Sequence, residues 1–222
     1  MNRKDTRRIV TAQELENWLK RGDVLEHDSR GPKVVAMKKA PDDLETVFLK
    51  IFYTRRRPWL ARLFPPAARF AKNTGILKKA GVPTPEVVET FWIDPSAGLS
   101  ACLYRPLPGC TLEALLRREP SEIDALLPKL AGFIRRLHRH RIYFRSLHTG
   151  NIVLMPDGNF GLIDILDLKQ LLFPLGPWRV RRNFQHMKHR LDRENQTAFP
   201  FEELLRLYRE RTDFGSDEKD ES

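Results

Sequence analysis

The sequence predicts an α+β fold in two lobes: a five-stranded antiparallel sheet with one helix, then a mostly helical half. Three observations predict it. Residues 23–53 alternate apolar and polar positions between turn signals, the pattern of a half-buried sheet. From Ile123 to His140 the apolar residues recur at helical spacing instead. Between the two patterns lies Pro106-Leu107-Pro108-Gly109, which reads as a hinge.

Taken in order, Thr11-Ala12-Gln13-Glu14 is a capping box that opens a helix from Ala12 to Arg21, closed by Gly22. Val24–His27, Val34–Met37 and Thr46–Phe52 read as strands, separated by turns at 28–32 and 40–43. Ala67–Ala80 is helical and stops before Gly81-Val82-Pro83. Val87–Ile93 and Ser100–Tyr104 are two further strands around a turn at 94–98. Past the hinge come a helix at Leu112–Arg118 and the strong one at Ile123–His140. Its stripe is Ile123, Leu126, Leu127, Leu130, Phe133, Ile134 and Leu137. Short strands at Ile152–Leu154 and Asn159–Ile163 share a turn at Pro156-Asp157-Gly158. Helices at Arg181–Asp192 and Phe201–Arg211 complete the chain. The expected organisation is an N-terminal extension (1–22), a first lobe (23–105), a second lobe (106–212) and an acidic, disordered tail (213–222).

Composition excludes several classes. With 41% hydrophobic and 31% charged residues, the chain suits a globular protein rather than a disordered one. No apolar run approaches the ~18–20 residues of a membrane helix. The basic N-terminus lacks an apolar signal region, so a cytoplasmic protein is expected. Cys102 and Cys110 have no CxxC or His spacing and read as reduced thiols. The net charge of +10 favours an anionic partner. No Asp or Glu occurs from Lys50 through Lys79, a stretch that includes Arg55, Arg56, Arg57, Arg62, Arg69, Lys72 and Lys78. Nucleic acid is not the expected partner, because no aromatic-interleaved basic motif or recognised nucleic-acid fold occurs.

The chemistry is concentrated in Tyr143-Phe144-Arg145-Ser146-Leu147-His148-Thr149-Gly150-Asn151, followed by an apolar strand that delivers Asp164. This run resembles the protein-kinase catalytic loop, H-R-D-L-x-x-x-N, without a gap. Arg145, Leu147 and Asn151 stand in the Arg, Leu and Asn positions. Ser146 stands where the proton-accepting Asp belongs. The resemblance implies that Asn151 and Asp164 hold Mg²⁺ and that Lys50, ending a Val-Phe-Leu-Lys strand, contacts the phosphates of ATP. Asp164 is otherwise a turn cap, Asn151 an Asx turn, and Lys50 a solvated charge. The acid-free stretch offers Lys50 no helix carboxylate; Asn73 or Asp164 itself is the alternative partner. Only Gly31 is available to a phosphate-covering loop, with Arg30 and Lys33 as replacement charges. A serine has no useful basicity at neutral pH. His148 can take a proton near pH 7 or can simply structure the loop. Asp167 is a further nearby carboxylate that reads more readily as a turn or helix cap.

Leu107-Pro108-Gly109-x-Thr111-Leu112, Leu137-His138 and Leu147-His148-x-Gly150-Asn151 resemble small bacterial kinases of the aminoglycoside-phosphotransferase type. Phe70-Ala71-x-Asn73, Ala80-Gly81-Val82-Pro83-x-Pro85 and Arg181-Arg182-Asn183 are similar to the lipopolysaccharide kinase (Kdo/WaaP) family and its toluene tolerance branch. The resemblance spans residues 24–195. It implies a bilobal protein-kinase-like fold binding ATP and Mg²⁺ in a cleft, with Lys50, Asn151 and Asp164 converging there. It implies phosphorylation of a lipopolysaccharide core sugar, expected to be slow because Ser146 replaces the loop Asp. The implied acceptor is an anionic glycolipid or phosphorylated sugar, met by peripheral contact at the inner membrane. The alternative is a pseudokinase that binds nucleotide or a partner as an envelope-related scaffold or regulator. The loss of both the loop Asp and the helix carboxylate favours that alternative.

Overall fold

The computed structural model describes residues 7–38, 46–53 and 58–213. The expected turn at 40–43, the cations Arg55, Arg56 and Arg57, and the acidic tail beyond Asp213 lie outside them. The chain divides into two compact units: Met1–Leu77 with Thr84–Leu107, and Lys78–Pro83 with Pro108–Ser222. Among the described residues no helix is long and apolar enough to cross a membrane.

The first unit opens with α1 (Ala12–Arg21), followed by β1 (Asp23–Asp28), β2 (Gly31–Lys38) and β3 (Thr46–Phe52). Then come α2 (Pro58–Leu63), α3 (Pro66–Lys79), β4 (Glu86–Asp94) and β5 (Leu99–Arg105). The sheet is five-stranded, in the order β1-β2-β3-β5-β4, with every neighbour antiparallel. Half of the capping box forms. Thr11 Oγ1 accepts from the Glu14 N–H at 3.1 Å, while the Glu14 carboxylate accepts from Arg8 instead. The helix α2 was not expected. It is too short for periodicity to mark, although Pro58 at its first position is a start signal.

Alternation along β3 sorts its side chains onto two faces. Val47, Leu49 and Ile51 join Val35, Met37, Phe91, Ala101 and Leu103 in one core, against which Trp18 of α1 packs. The Trp18 and Phe91 ring centroids are 5.4 Å apart. Phe48, Lys50 and Phe52 take the other face, shared with Phe70 of α3 and Tyr104. Phe52 lies 5.7 Å and Tyr104 5.8 Å from Phe70, centroid to centroid. Lys50 is thereby buried on the α3 face rather than solvated.

The second unit contains β6 (Cys110–Thr111), α4 (Leu112–Arg118), α5 (Glu122–Arg139) and β7 (Ile142–Phe144). It continues with β8 (Ile152–Leu154), β9 (Phe160–Leu162), β10 (Leu168–Gln170), α6 (Pro177–Arg193) and α7 (Phe201–Asp213). Two small antiparallel sheets form, β6-β8-β9 and β7-β10. Gly109 has φ +119°, and a Cβ there would stand 2.1 Å from the Leu154 carbonyl oxygen. The glycine of the Leu-Pro-Gly signature therefore permits the backbone approach from which β6 pairs with β8. The predicted stripe of α5 is buried, apart from the half-buried Leu126. The helix α6 begins at Pro177 rather than Arg181, with proline in its first turn.

A buried polar chain ties these helices to the strand that leads into the loop. Asn183 Nδ2 donates to the Phe144 carbonyl at 2.6 Å, which leaves its Oδ1 to accept from His138 Nε2 at 3.2 Å. His138 Nδ1 then accepts from the Tyr208 hydroxyl at 2.8 Å. Burial pushes the His138 ring down from 6.5 to about 4. Because the folded ring titrates lower, the unfolded chain takes up protons first as pH falls. This contribution to stability is complete above 6.5 and is lost between 6.5 and about 4. The loss expected from His138 is about 3 kcal/mol, measured by urea unfolding across that window. A flat stability profile there contradicts it.

Candidate active site

The loop between β7 and β8 is held from both sides. Leu147 is buried, and its N–H donates to the Phe144 carbonyl at 3.2 Å. Residues Thr149–Asn151 form a single 3₁₀ turn capped by His148, whose Nδ1 accepts from the Gly150 N–H at 3.2 Å. Thr149 Oγ1 donates to the buried Gln196 at 2.7 Å. Asn151 is buried, and its Nδ2 donates to the Ser146 carbonyl at 2.9 Å. That bond fixes the amide orientation and leaves Oδ1 without a hydrogen-bond donor among the described residues.

Asp164 follows β9. The Ile163 N–H donates to the Asn151 carbonyl at 3.0 Å, so the backbones that carry Asn151 and Asp164 adjoin at one end of the β8–β9 hairpin. Asp164 has φ 50° and ψ 42°, a left-handed conformation that aspartate tolerates better than most residues. It heads a 3₁₀ turn, Ile165–Asp167, that leads into β10. Pairing of Leu168 with Phe144 then brings Asp167 beside the start of the loop.

That register yields the contact with most chemical content. Ser146 Oγ donates to Asp167 Oδ2 at 2.6 Å, and Arg145 Nε donates to the same oxygen at 3.1 Å. Asp167 Oδ1 is buried and without a hydrogen-bond partner among the described residues. The reading of Asp167 as a cap is therefore replaced: its carboxylate serves the residue that occupies the missing Asp position. The usable sequence signals were an acid three residues after Asp164 and the lack of one at 146.

His148 caps the turn through Nδ1. Burial, then Arg190, pushes it down from 6.5 to about 4, so it is neutral at physiological pH. Protonation would also turn Nδ1 into a donor facing the Gly150 N–H. Its Nε2 lies 3.2 Å from Asn151 Nδ2.

Lys50 belongs to the first unit. It is buried, pairs with Val34 and Cys102 in the sheet register, and has its Nζ 5.7 Å from the Phe70 centroid. Burial pushes the adjacent Cys102 thiol up to about 12, an inert neutral thiol. Asn73 is buried on α3. Arg30 and Lys33, the suggested phosphate charges, are engaged locally. Arg30 pairs with Asp28 at 3.0 Å, and Lys33 with Glu26 at 2.5 Å.

A model of a phosphotransferase enzyme family matches residues 43–210. The chain belongs to the phosphotransferase enzyme family. No curated protein matched the sequence. The match supports the protein-kinase-like superfamily and kinase-like phosphotransfer chemistry, and it spans Lys50, Ser146, Asn151, Asp164 and Asp167. Phosphotransferases of this family generally use ATP with Mg²⁺. The second unit suits the ion: a carboxylate and an undonated amide oxygen are hard ligands, and Mg²⁺ is commonly held by one or two protein groups plus substrate phosphates. Among the described residues no group of three or more His, Cys, Asp or Glu is placed to hold a metal ion.

Proposed function

We propose that the chain transfers the γ-phosphoryl group of ATP to a hydroxyl of an anionic sugar acceptor of the lipopolysaccharide-core type. The observation that carries the reading is the 2.6 Å hydrogen bond from Ser146 to Asp167, beside Asn151 and Asp164. Asn151 Oδ1 and the Asp164 carboxylate would hold Mg²⁺, and Lys50 would contact the nucleotide phosphates. When bound there, the ion would supply electrostatic stabilisation of the phosphate charge. Ser146 receives the acceptor proton on Oγ while its own proton passes to Asp167 Oδ2. The acceptor oxygen bonds to the γ-phosphorus, the bond to the bridging oxygen breaks, and ADP leaves. Arg145 holds the Asp167 carboxylate in place throughout. Because the transition state of phosphoryl transfer is loose, positioning supplies most of the catalysis, and a relayed base suffices for slow turnover.

A second reading rests on the serine at 146 and the absence of acids from Lys50 to Lys79: a pseudokinase that binds nucleotide or a partner as an envelope-related regulator. Transfer of labelled γ-phosphate from Mg-ATP to a core oligosaccharide separates the two. A chain that binds Mg-ATP without releasing ADP is a pseudokinase. One whose melting temperature ignores millimolar Mg-ATP fits neither kinase nor nucleotide-binding scaffold.

Contact with an anionic membrane surface is part of the proposal. It is supported by exposed Leu172, Phe173 and Trp178 next to exposed Lys169, Arg179 and Arg182, with Arg182 stacked 5.3 Å over the Trp178 ring. Vesicles containing phosphatidylglycerol are expected to shift Trp178 fluorescence to the blue, and Trp178→Ala to weaken sedimentation with them several-fold. Equal sedimentation of both proteins defeats the idea.

A further inference from the structure

A cavity of about 300 Å³ opens within the second unit, lined by Arg145, Ser146, His148, His186, His189, Arg190 and Arg193. Four of these come from one face of α6. Positions 186, 189, 190 and 193 are spaced by three, four and seven residues, so their side chains stack along one stripe. The loop supplies the others. Among the described residues no aliphatic or aromatic hydrocarbon side chain lines it, and no acid does.

Three guanidinium groups meet two carboxylates at its edge. Arg145 pairs with Asp167 at 3.1 Å, while Arg190 and Arg193 share Glu194 at 3.2 and 3.4 Å. Two nitrogens are left over. Arg190 Nε and His186 Nε2 are buried and have no hydrogen-bond partner among the described residues. An arginine Nε–H is always a donor, and a buried donor without an acceptor is uncommon. The field inside is positive. After burial, Arg182 and Arg145 are the largest influences lowering His186.

We propose that this cavity is an anion subsite that holds a phosphate monoester group of the acceptor, with Arg145, Arg190 and Arg193 as its ligands. This rests on the phosphotransferase reading above, and it gives that reading a location for acceptor charge. Arginine forks match phosphate oxygens in bidentate geometry, and a partly enclosed site strengthens each such bond. Ser146 lines the same cavity, so a phosphate seated against α6 places a nearby hydroxyl of the same molecule at the serine Oγ. An acceptor bound this way carries its charge on the reacting molecule, and a neutral sugar has nothing to offer the arginines.

The test uses the full chain without ATP or Mg²⁺. Titration calorimetry with inorganic phosphate and with glucose 6-phosphate is expected to give saturable binding at one site, and glucose none. Arg190→Gln/Arg193→Gln is expected to weaken both phosphates at least tenfold. Lys20→Gln/Arg206→Gln, which removes equal charge elsewhere, is expected to leave them unchanged. Arg145→Gln, on an exposed loop residue, repeats the test if the helix variant folds poorly. Equal loss in the cavity and control variants, or binding of glucose as tight as glucose 6-phosphate, overturns the subsite. Vesicles of phosphatidic acid distinguish a lipid headgroup from a free sugar phosphate: competition with glucose 6-phosphate supports the subsite with a lipid-borne ligand. Its absence, with glucose 6-phosphate still bound, supports a soluble one. The two readings fail separately. Phosphate binding without any phosphoryl transfer refutes the kinase reading and keeps the subsite. Turnover that is indifferent to acceptor charge, with no phosphate binding, refutes the subsite alone.

Discussion

Replacing Asp164 by asparagine is expected to lower Mg²⁺-dependent phosphotransfer by more than about 10³-fold, beyond the loss of one preorganised electrostatic contact. The asparagine variant is the informative one. The backbone at 164 is left-handed, with φ 50°, and asparagine is among the few residues that tolerate it. Alanine would add strain to the loss of a ligand and confuse folding with chemistry. Asn151 is neutral, so without Asp164 no charged group remains in the proposed ligand pair. Nucleotide binding measured with and without Mg²⁺ should therefore lose its metal dependence, while the unfolding free energy from urea titration stays within about 0.5 kcal/mol of the parent value. An Asp164→Asn protein whose nucleotide affinity still rises with Mg²⁺ would remove Asp164 from the metal site. Its turn would then be the reason for the residue, and the pairing with Asn151 would lose its chemical meaning.

The elements that sequence periodicity reveals are those long enough to carry a period. All five strands of the first sheet and the helices α1, α3, α4, α5, α6 and α7 were legible, because each repeats its apolar positions at least twice. The strands β6, β7 and β10 have two or three residues each and carry no period, so only the pairing of the folded chain defines them. This gap matters for the site. Asn151 and Asp164 were singled out from spacing within one hairpin, a local feature. The partnership of Asp167 with Ser146 arises from the β7–β10 register, which no local pattern encodes. Charge along the sequence likewise does not locate the cavity. The acid-free stretch drew attention to residues 50–79, yet its described cations Arg62, Arg69, Lys72, Lys78 and Lys79 are exposed. Lys50 is the buried exception. The positive cavity instead combines α6 with Arg145, residues separated in sequence and joined by folding.

Replacing Asp167 by asparagine is expected to reduce kcat by roughly 10²–10⁴-fold, the usual worth of general-base assistance, with little change in the KM for ATP. Ser146→Ala should fall in the same range, because the relay needs both the hydroxyl and the carboxylate. The two losses should not add, since either variant interrupts one proton path. Ser146→Asp alone is not expected to restore a conventional kinase loop. It sets a second carboxylate where a hydroxyl now lies 2.6 Å from Asp167, and two carboxylates that close cannot both ionise easily. The exchange Ser146→Asp/Asp167→Ser removes that repulsion and puts the base in the loop position, so it should recover activity lost in either single variant. Wild-type kcat in Asp167→Asn would sink the relay, and failure of the exchange beside a fully active Ser146→Asp would move the base to position 146. In a pseudokinase none of these substitutions changes a measured function. The set therefore separates a slow enzyme whose base has moved three residues beyond the metal aspartate from a fold that has lost its chemistry.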